Sequence, residues 1–181
     1  FLEFQMMDAK HEDVNKTLKE TKNRINTISI AHELIYGEFL IEKDYRYINI
    51  KKYIVSIASS VIPHGSSHED INFEYDIEDI NLNIDTCLPI GILINELVTN
   101  SFKHVYQKQN NVRISISMKK NYKEISLVYK DNGKGYDPKQ VKSDSLGLFI
   151  IESMVSQLEG TVKYYQENAK YDIVLKQKNM Y

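Results

Sequence analysis

Apolar residues near the N-terminus of the chain recur at alternating steps of four and three residues. The pattern runs through Val14, Leu18, Thr21, Ile25, Ile28, His32, Ile35 and Phe39. A seam of this period predicts a helix that packs against other helices in a bundle or coiled coil. The preceding letters FLEFQMM are typical of the end of an earlier helix, and DAKHED of a polar connector. We therefore expect a helical hairpin, which encloses a core only by dimerising into a four-helix bundle.

The rest of the chain alternates between helical and strand patterns. Tyr53 to Val61 has a helical period, and INFEYDIEDINLNID alternates as two short strands. Pro89 is expected to open a long helix that ends near Tyr106. The remaining segments are two strands (VRISISM and EISLVYK), a helix closed by Gly160 (LGLFIIESMVSQLEG) and a final hairpin (TVKYYQE and YDIVLKQ). This order predicts an α+β fold, a two-layer α/β sandwich on a mostly antiparallel sheet, with the hairpin in 1–48 and the sandwich in 49–181.

Composition excludes several classes of function. The net charge of −2 and the pI of about 6.2 give no sign of a nucleic-acid surface. No apolar run reaches the length of a membrane span, and Cys87 is the single cysteine, which excludes an internal disulfide and a cysteine-rich metal site. Because the chain starts at Phe1 rather than at a methionine, we expect a segment ahead of it. We expect this fragment to be cytoplasmic with no membrane contact, although the intact protein can carry an anchor.

The stretch DNGKGYD, from Asp131 to Asp137, allows two interpretations. Asn132-Gly133 is a frequent β-hairpin turn, but a hairpin needs a strand on each side, and only EISLVYK supplies one. A carboxylate followed by two spaced glycines also suits a loop that presses its backbone onto a ligand. The chain contains no Walker phosphate loop, and Pro138 breaks the dinucleotide fingerprint at its last position.

A polar stripe marks the helix that contains NELVTNSFKH. At about 100° per residue, its members share one arc of about 100°. They are Glu96, Asn100, Lys103, His104 and Gln107. A solvated helix face is one explanation, and a binding site is the other. A carboxamide oxygen such as that of Asn100 is a hard ligand that suits Mg²⁺.

The asparagine-containing helix, the DNGKGYD loop and the SLGLFII segment occur in the order found in one superfamily. This order resembles the Bergerat ATP-binding fold of histidine kinases, Hsp90-like chaperones, type II topoisomerases and MutL. The segments match the asparagine box and the first and second glycine boxes. TKNRINTISIAHELIYG is similar to the second helix of the dimerisation domain in sensor histidine kinases of the HWE-related class, and IGILINELVTNSFKHVY to the asparagine box of that class.

The resemblance implies a role for each motif residue. Asp131 would accept a hydrogen bond from the exocyclic amino group of adenine, while Gly133 and Gly135 admit the nucleotide and allow positive φ. Asn100 would bind Mg²⁺ and Lys103 a phosphate. Glu96, the catalytic residue, would orient or deprotonate a nucleophile or a metal-bound water. Four further residues would complete the ATP site: His104, Leu146, Gly147 and Leu148. Ser145 is a candidate helix cap, and Lys134, Lys139 and Lys142 are candidate phosphate contacts or ordinary solvated lysines.

The implied reaction is transfer of a phosphoryl group from Mg²⁺-ATP to a histidine. His32 lies on the apolar seam and is interpreted as structural, and His11, His64 and His68 as loop residues, so the acceptor is expected to precede Phe1. The resemblance implies a homodimer through the N-terminal helices and the receiver domain of a response regulator as partners. Where the family usually has a Gly-Thr pair, the chain has Asn168-Ala169-Lys170, and the phenylalanine box of longer-lidded kinases is missing. A non-catalytic dimeric scaffold and an ATPase or serine-directed protein kinase of the same superfamily are the alternatives.

Overall fold

The structure is a computed structural model, and it describes residues 12–37, 47–62, 70–106, 111–136 and 146–177. The helices are α1 (Glu12–Gly37), α2 (Ile50–Ser60), α3 (Ile84–Ser101), which continues as a π-helical turn (Phe102–Tyr106), and α4 (Leu146–Gln157). The strands are β1 (Tyr47–Asn49), β2 (Ile71–Ile77), β3 (Asn81–Asn83), β4 (Val112–Asn121), β5 (Glu124–Asp131), β6 (Thr161–Tyr165) and β7 (Lys170–Lys176). A 3₁₀ turn (Gln166–Asn168) joins the last two strands.

The larger sheet has five strands, in the order β2-β4-β5-β7-β6. Only β2 and β4 run parallel, and the other neighbours are antiparallel. The period-2 pattern of β4 buries Ile114, Ile116 and Met118 on one face. The predicted mixed, mostly antiparallel sheet is therefore confirmed, as is the α+β sandwich in which helices cover one face of the sheet.

The two strands that were predicted around Glu78 and Asp79 form, but they do not pair with each other. β3 pairs instead with β1, a strand that the sequence pattern did not predict, and Ile48 faces Leu82 across this small ribbon. Asparagine side chains at the ends of the ribbon cap the next helices: Asn49 Oδ1 accepts the backbone N–H of Lys52, and Asn83 Oδ1 that of Thr86, each at 2.9 Å.

Helix α3 starts earlier than predicted. Its N-cap is Asn83, and Pro89 lies inside the helix rather than at its first position. Proline is tolerated in the first turn of a helix, but here the capping preference of asparagine, at Asn83, sets the start of the helix. The helix is almost entirely buried between the sheet and the other helices, so it can hold polar side chains in fixed positions.

Helix α1 packs on the sandwich with a side that the heptad pattern did not single out. Thr27 and Ala31 are each 1% exposed, and the Tyr53 hydroxyl of α2 donates to the Thr27 carbonyl at 3.1 Å. The seam residues Ile25 and Ile28 are each 49% exposed. The small side chains let the helices approach closely, while Ile25, Ile28 and His32 of the predicted seam lie on the outer side of the single chain.

The last helix ends as predicted, with one difference. The Gly160 N–H donates to the Val155 carbonyl at 2.9 Å, which closes α4 in a Schellman-type turn. The residue in the left-handed conformation is Glu159, with φ of 47°, rather than the glycine. Several predictions lie outside the described residues: those on FLEFQMM, Gln107, Lys139, Lys142, Ser145, His11, His64 and His68. Within the described ranges, none of the helices combines the length and apolarity needed to cross a membrane.

Candidate active site

A cavity of about 530 Å³ opens between α3, the loop after β5 and the last two strands. Its walls are Leu97, Asn100, Ser101, His104, Val105, Tyr129, Asp131, Gly133, Lys134, Gly135, Tyr136, Leu148, Tyr164, Ala169 and Tyr171. The residues predicted from the sequence for one site are thus partly brought together. Asn100, His104, Asp131, Leu148 and both glycines of the loop line the cavity, whereas Glu96, Lys103, Leu146 and Gly147 lie outside its lining.

Asp131 ends β5, and its carboxylate is fixed on both oxygens. Oδ1 accepts the Gly133 N–H at 2.8 Å, and Oδ2 accepts the Ser101 hydroxyl. The Ser101 oxygen also lies 2.7 Å from the hydroxyl of Tyr129, which is 1% exposed. This chain of hydroxyls orients the carboxylate toward the cavity. Ser101 was not among the residues predicted for the site, and its hydroxyl on an otherwise apolar side of α3 is the sequence signal that could have indicated it.

Asn132 holds the loop beyond β5 against the neighbouring strand. Its Oδ1 accepts the Arg113 N–H and its Nδ2 donates to the Asn111 carbonyl, each at 2.9 Å. The Asn132 N–H donates to the Arg113 carbonyl at 3.1 Å. These bonds tie the residue after Asp131 to the start of β4, so residues 131–136 form an anchored loop and not a hairpin turn.

The two glycines of this loop are required for different reasons. Gly135 has φ of +69°, and a Cβ there would lie 2.2 Å from the Gln166 carbonyl oxygen. Gly133 is not among the residues with positive φ, so the prediction of positive φ was wrong for it. A Cβ at Gly133 would lie 2.7 Å from Val105 Cγ2 and 2.9 Å from Asp131 Oδ1, so close packing excludes a side chain at this position.

Stacked tyrosines form the wall opposite α3, and the sequence patterns did not predict them. The rings of Tyr136 and Tyr164 are 4.2 Å apart and inclined by 15°, and Tyr171 follows at 4.7 Å from Tyr164. The hydroxyls of Tyr136 and Tyr171 lie 2.9 Å apart, and the Tyr136 N–H donates to the Tyr164 hydroxyl at 2.8 Å. Burial raises the pKa of all three hydroxyls, which therefore stay neutral at physiological pH.

Ala169 stands where the resemblance led us to expect a glycine. Its φ of 45° and ψ of 47° are left-handed, a conformation that costs a non-glycine residue about 1–2 kcal/mol. Its carbonyl accepts the Asp131 N–H at 3.4 Å, and its side chain lines the cavity. The fold therefore keeps the backbone geometry of the turn without the residue that suits it best.

Two polar residues of the stripe, Glu96 and Asn100, lie beside Gly147 in the first turn of α4. We call these three residues the α4 end of the cavity, although only Asn100 belongs to its lining. A Cβ at Gly147 would lie 3.3 Å from Glu96 Oε2 and 3.6 Å from both side-chain heteroatoms of Asn100. Glu96 is 4% exposed. Its carboxylate accepts two hydrogen bonds from Arg24 of α1, Nε to Oε1 at 2.8 Å and Nη2 to Oε2 at 3.1 Å.

Lys103 and His104 flank this arrangement at the C-terminal end of α3. The Lys103 ammonium pairs with the Glu20 carboxylate of α1. His104 is exposed and lines the cavity. Among the described residues, no group of three or more histidine, cysteine, aspartate or glutamate side chains converges as a metal cage. An ion held there would have one carboxamide ligand from the protein, Asn100 Oδ1. It would need further oxygens from a bound molecule and from water, and Mg²⁺ commonly binds to proteins in this way.

Two family models match the chain. Residues 88–179 match a model described as histidine kinase-, DNA gyrase B-, and HSP90-like ATPase, and residues 1–64 match a model described as histidine kinase. The first covers about half of the chain and includes α4, the loop after β5 and most of α3.

Curated proteins with similar sequences are bacterial kinases. The sensor histidine kinase LiaS of Bacillus subtilis (strain 168) is 26% identical over 102 residues, covering 56% of this chain and 27% of LiaS. The histidine-protein kinase/phosphatase DegS of the same organism is 37% identical over 73 residues, covering 39% of the chain and 18% of DegS. The serine-protein kinase RsbW of Staphylococcus aureus (strain MRSA252) is 32% identical over 84 residues, covering 37% of the chain and 53% of RsbW. The chain thus spans about a quarter or less of the two sensor kinases, and about half of RsbW.

Solved structures share the fold. The histidine kinase domain of the blue-light activated histidine kinase EL346 from Erythrobacter litoralis superposes with a TM-score of 0.72 at 15% identity, covering 87% of this chain and 75% of that one. The mycobacterial sensor histidine kinase MprB superposes with a TM-score of 0.56 at 18% identity, covering 74% and 98%.

Proposed function

Because the chain belongs to the histidine kinase-, DNA gyrase B- and HSP90-like ATPase family, we propose that it is the ATP-dependent kinase core of a two-component protein histidine kinase. The observation that carries this proposal is the fixed carboxylate of Asp131 in the cavity. Asn100 and Glu96, both on α3, lie at the opposite end, the α4 end. A cavity with an acceptor at one end and an amide and a carboxylate at the other suits a purine nucleotide with its phosphates.

Asp131 would select adenine. Its oxygens already accept the Gly133 N–H and the Ser101 hydroxyl, so the carboxylate is held as an acceptor and its remaining lone pairs face the cavity. Such an acceptor attracts the exocyclic amino group of adenine and repels the carbonyl oxygen of guanine. One good base contact of this kind contributes about 1–3 kcal/mol of discrimination. The stacked tyrosines would supply a flat wall beside the base.

The α4 end would receive the phosphates. The first backbone N–H groups of a helix attract anions, and Gly147 lets them approach because it has no side chain. Asn100 would hold Mg²⁺, which supplies charge neutralisation to the phosphates when it is bound. In the transfer, an imidazole nitrogen forms a bond to the γ-phosphorus while the bond to the β–γ bridging oxygen breaks and ADP leaves. Glu96 would take the proton from the imidazole.

The most direct test is calorimetry with Mg²⁺-ATP and Mg²⁺-GTP. The unchanged chain should bind ATP more tightly than GTP. The substitution Asp131→Asn should weaken ATP binding about 5- to 150-fold, which corresponds to the loss of about 1–3 kcal/mol, and should narrow the preference over GTP. Asp76→Asn, which makes the same change on the exposed face of β2, is the matched control and should leave both affinities unchanged. The proposal would be refuted if the unchanged chain did not bind ATP, or if the unchanged chain, Asp131→Asn and Asp76→Asn bound ATP with equal affinity.

The acceptor residue needs a separate experiment, because RsbW, a serine-protein kinase, is among the similar proteins. The native full-length protein should be incubated with labelled ATP, and the stability of the phosphoryl linkage should then be measured. A base-stable, acid-labile product indicates phosphohistidine, and an acid-stable, base-labile product indicates phosphoserine and a serine kinase. A label on His32 would place the acceptor on α1 and contradict its structural interpretation.

The partners follow from the same proposal. The exposed Ile25 and Ile28 on α1 would form a homodimer interface with the same helix of a second copy, as the heptad seam predicts. A receiver domain of a response regulator would then take the phosphoryl group, and the reaction would occur in the cytoplasm. The sedimentation behaviour of Ile25→Glu, which places a charge in this seam, tests the homodimer: the variant should be monomeric where the unchanged protein is dimeric.

A further inference from the structure

Four charged side chains alternate in sign across the contact between α1 and α3. Lys103 pairs with Glu20, whose carboxylate lies 3.8 Å from the Arg24 guanidinium one turn further along α1. Arg24 in turn binds Glu96 with two hydrogen bonds, at 2.8 and 3.1 Å. Two of these residues belong to α1 and two to α3, so the row joins the N-terminal helix to the helix that carries the candidate site.

The Arg24–Glu96 pair is shielded from solvent. The Glu96 side chain is 5% exposed and that of Arg24 is 17% exposed, so salt screens this pair much less than it would a surface pair. The geometry is bidentate, which is the strongest arrangement available to a guanidinium and a carboxylate. Asn95 Nδ2 also donates to Glu96 Oε1 at 3.2 Å. Both oxygens of the carboxylate are therefore occupied by donors from the protein.

The occupied groups are those that the reaction would need. The Glu96 oxygen bound by Arg24 Nη2 is Oε2, the same atom that a Cβ at Gly147 would approach within 3.3 Å at the α4 end. A carboxylate held in this way is poorly placed to accept the proton of a nucleophile, because its lone pairs already serve a cation. Lys103, the other charge predicted to meet the phosphates, is held by Glu20.

We infer that α1 is an inhibitory latch on the active site: Arg24 occupies the carboxylate of Glu96 while Glu20 occupies the ammonium of Lys103, and phosphoryl transfer requires these pairs to open. This inference rests on the proposed function, because it names the regulation of the same site. A signal that moves α1 along or away from α3 would release both charges together. The latch thus couples the position of the N-terminal helix to the chemistry of the pocket.

Incomplete hydrogen bonding in α3 is consistent with a contact that opens. Asn95 Oδ1 and Thr99 Oγ1, one turn apart on α3, are buried and have no hydrogen-bond partner in the part of the chain that the structure describes. Buried polar atoms without partners are uncommon in permanent cores, since each costs about 1–3 kcal/mol. Asn95 is hydrogen-bonded to Glu96, so separation of α1 from α3 would let water reach Asn95, which offsets part of the cost of breaking the ion pairs.

The latch also predicts a reciprocal effect between nucleotide and helix. If the phosphates of ATP compete with Glu20 for Lys103, then bound ATP loosens α1, and a loosened α1 strengthens ATP binding by the same factor. Hydrogen exchange of the α1 amides measures the first half of this relation, and calorimetry measures the second half.

The decisive experiment compares variants of the native full-length protein at saturating Mg²⁺-ATP. Arg24→Gln keeps much of the side-chain stem and removes the charge, so Glu96 loses its cation. Phosphoryl transfer should accelerate about tenfold or more, and α1 amides should exchange faster, because removal of one partner from a buried pair destabilises the closed arrangement. Arg24→Lys, which keeps the charge but not the bidentate geometry, should give an intermediate rate. Lys19→Gln makes the same charge change on the exposed side of α1 and is the control.

The outcomes separate the latch from the proposed function. A lower or unchanged transfer rate in Arg24→Gln, with ATP affinity retained, would overturn the latch and leave the kinase proposal intact. If the unchanged protein neither binds ATP nor transfers its phosphoryl group, the proposed function fails. In that case hydrogen exchange still decides whether Arg24 holds α1, and unchanged exchange would overturn the latch as well. Glu20→Gln removes the pair with Lys103 and the longer contact with Arg24 but leaves the Arg24–Glu96 pair, and it serves if Arg24→Gln does not fold. A smaller acceleration is expected, and no acceleration would contradict the inference.

Discussion

Replacement of Gly135 by alanine tests how the loop after β5 builds the base end of the cavity. The new Cβ would lie 2.2 Å from the carbonyl oxygen of Gln166 and 2.8 Å from the Tyr164 hydroxyl. The first of these atoms belongs to the backbone and cannot rotate away. The substitution must therefore displace either the loop that follows Asp131 or the turn between β6 and β7.

Three terms set the size of the change in stability. The φ of +69° costs a residue with a side chain about 1–2 kcal/mol. Overpacking against fixed atoms costs about 1–3 kcal/mol, and the reduced freedom of the unfolded chain returns about 0.4–1 kcal/mol. We expect a net loss of about 2–4 kcal/mol in the free energy of unfolding, a large share of the roughly 5–15 kcal/mol that stabilises a domain. Nucleotide affinity should fall too, because Tyr164 and Ala169 line the cavity beside the displaced turn.

Urea unfolding followed by circular dichroism measures this loss, and Gly147→Ala provides the matched control. A Cβ at Gly147 meets nothing closer than the Glu96 carboxylate oxygen at 3.3 Å, and Gly147 is not among the residues with positive φ. The free energy of unfolding of Gly147→Ala should stay within about 1 kcal/mol of that of the unchanged chain, since alanine is also a better helix former than glycine. Equal stabilities for the two variants would refute the argument that Gly135 is required by backbone conformation.

Three other outcomes follow from the geometry. Ser101→Ala and Tyr129→Phe should each destabilise the fold by about 1–2 kcal/mol. The double variant should lose less than the sum, because the two hydroxyls bond to each other. Single-variant losses in urea unfolding that add up to the double-variant loss within about 0.5 kcal/mol would contradict this. Tyr122→Gly should stabilise the folded state by about 1 kcal/mol, because Tyr122 is 92% exposed and has φ of 53° in the β4–β5 turn. Thermal unfolding measures this gain, and the control Lys123→Gly should show none. Burial raises the pKa of Tyr171, so the folded state keeps a proton that the unfolded state releases near pH 10. Stability should persist below that pH and fall above it, and Tyr171→Phe, which lacks this proton, should show a smaller fall; an equal fall of the two proteins in urea unfolding would count against this.

Sequence patterns predicted the elements whose period is long and regular. β4 and β5 alternate over their whole length, and the letters of α4 form one helix with a clear C-terminal turn. The motif residues of the loop and of α3 could also be located, because the chemistry of Asp131 and Asn100 is unusual in those positions. These features depend on local sequence, and local sequence was sufficient for them.

Features that depend on distant partners were not predicted. β1 and β3 have three residues each, too few to show a period, and they form because they pair with each other. The side of α1 that packs on the sandwich carries Thr27 and Ala31, small residues that do not stand out in a pattern of large apolar side chains. The bond between Ser101 and Asp131 joins residues thirty positions apart, and only the fold brings them together.

The stacked tyrosines make the pocket its own optical reporter. The chain contains thirteen tyrosines and no tryptophan, so its near-ultraviolet absorption and emission come from tyrosine without a stronger fluorophore to mask them. The rings of Tyr136 and Tyr164 stack and that of Tyr171 is tilted against Tyr164 at the cavity wall, where an aromatic ligand would change their surroundings on entry. Titration of the unlabelled chain with a nucleotide, followed by intrinsic emission, can thus count occupied pockets without a dye, a tag or a substitution.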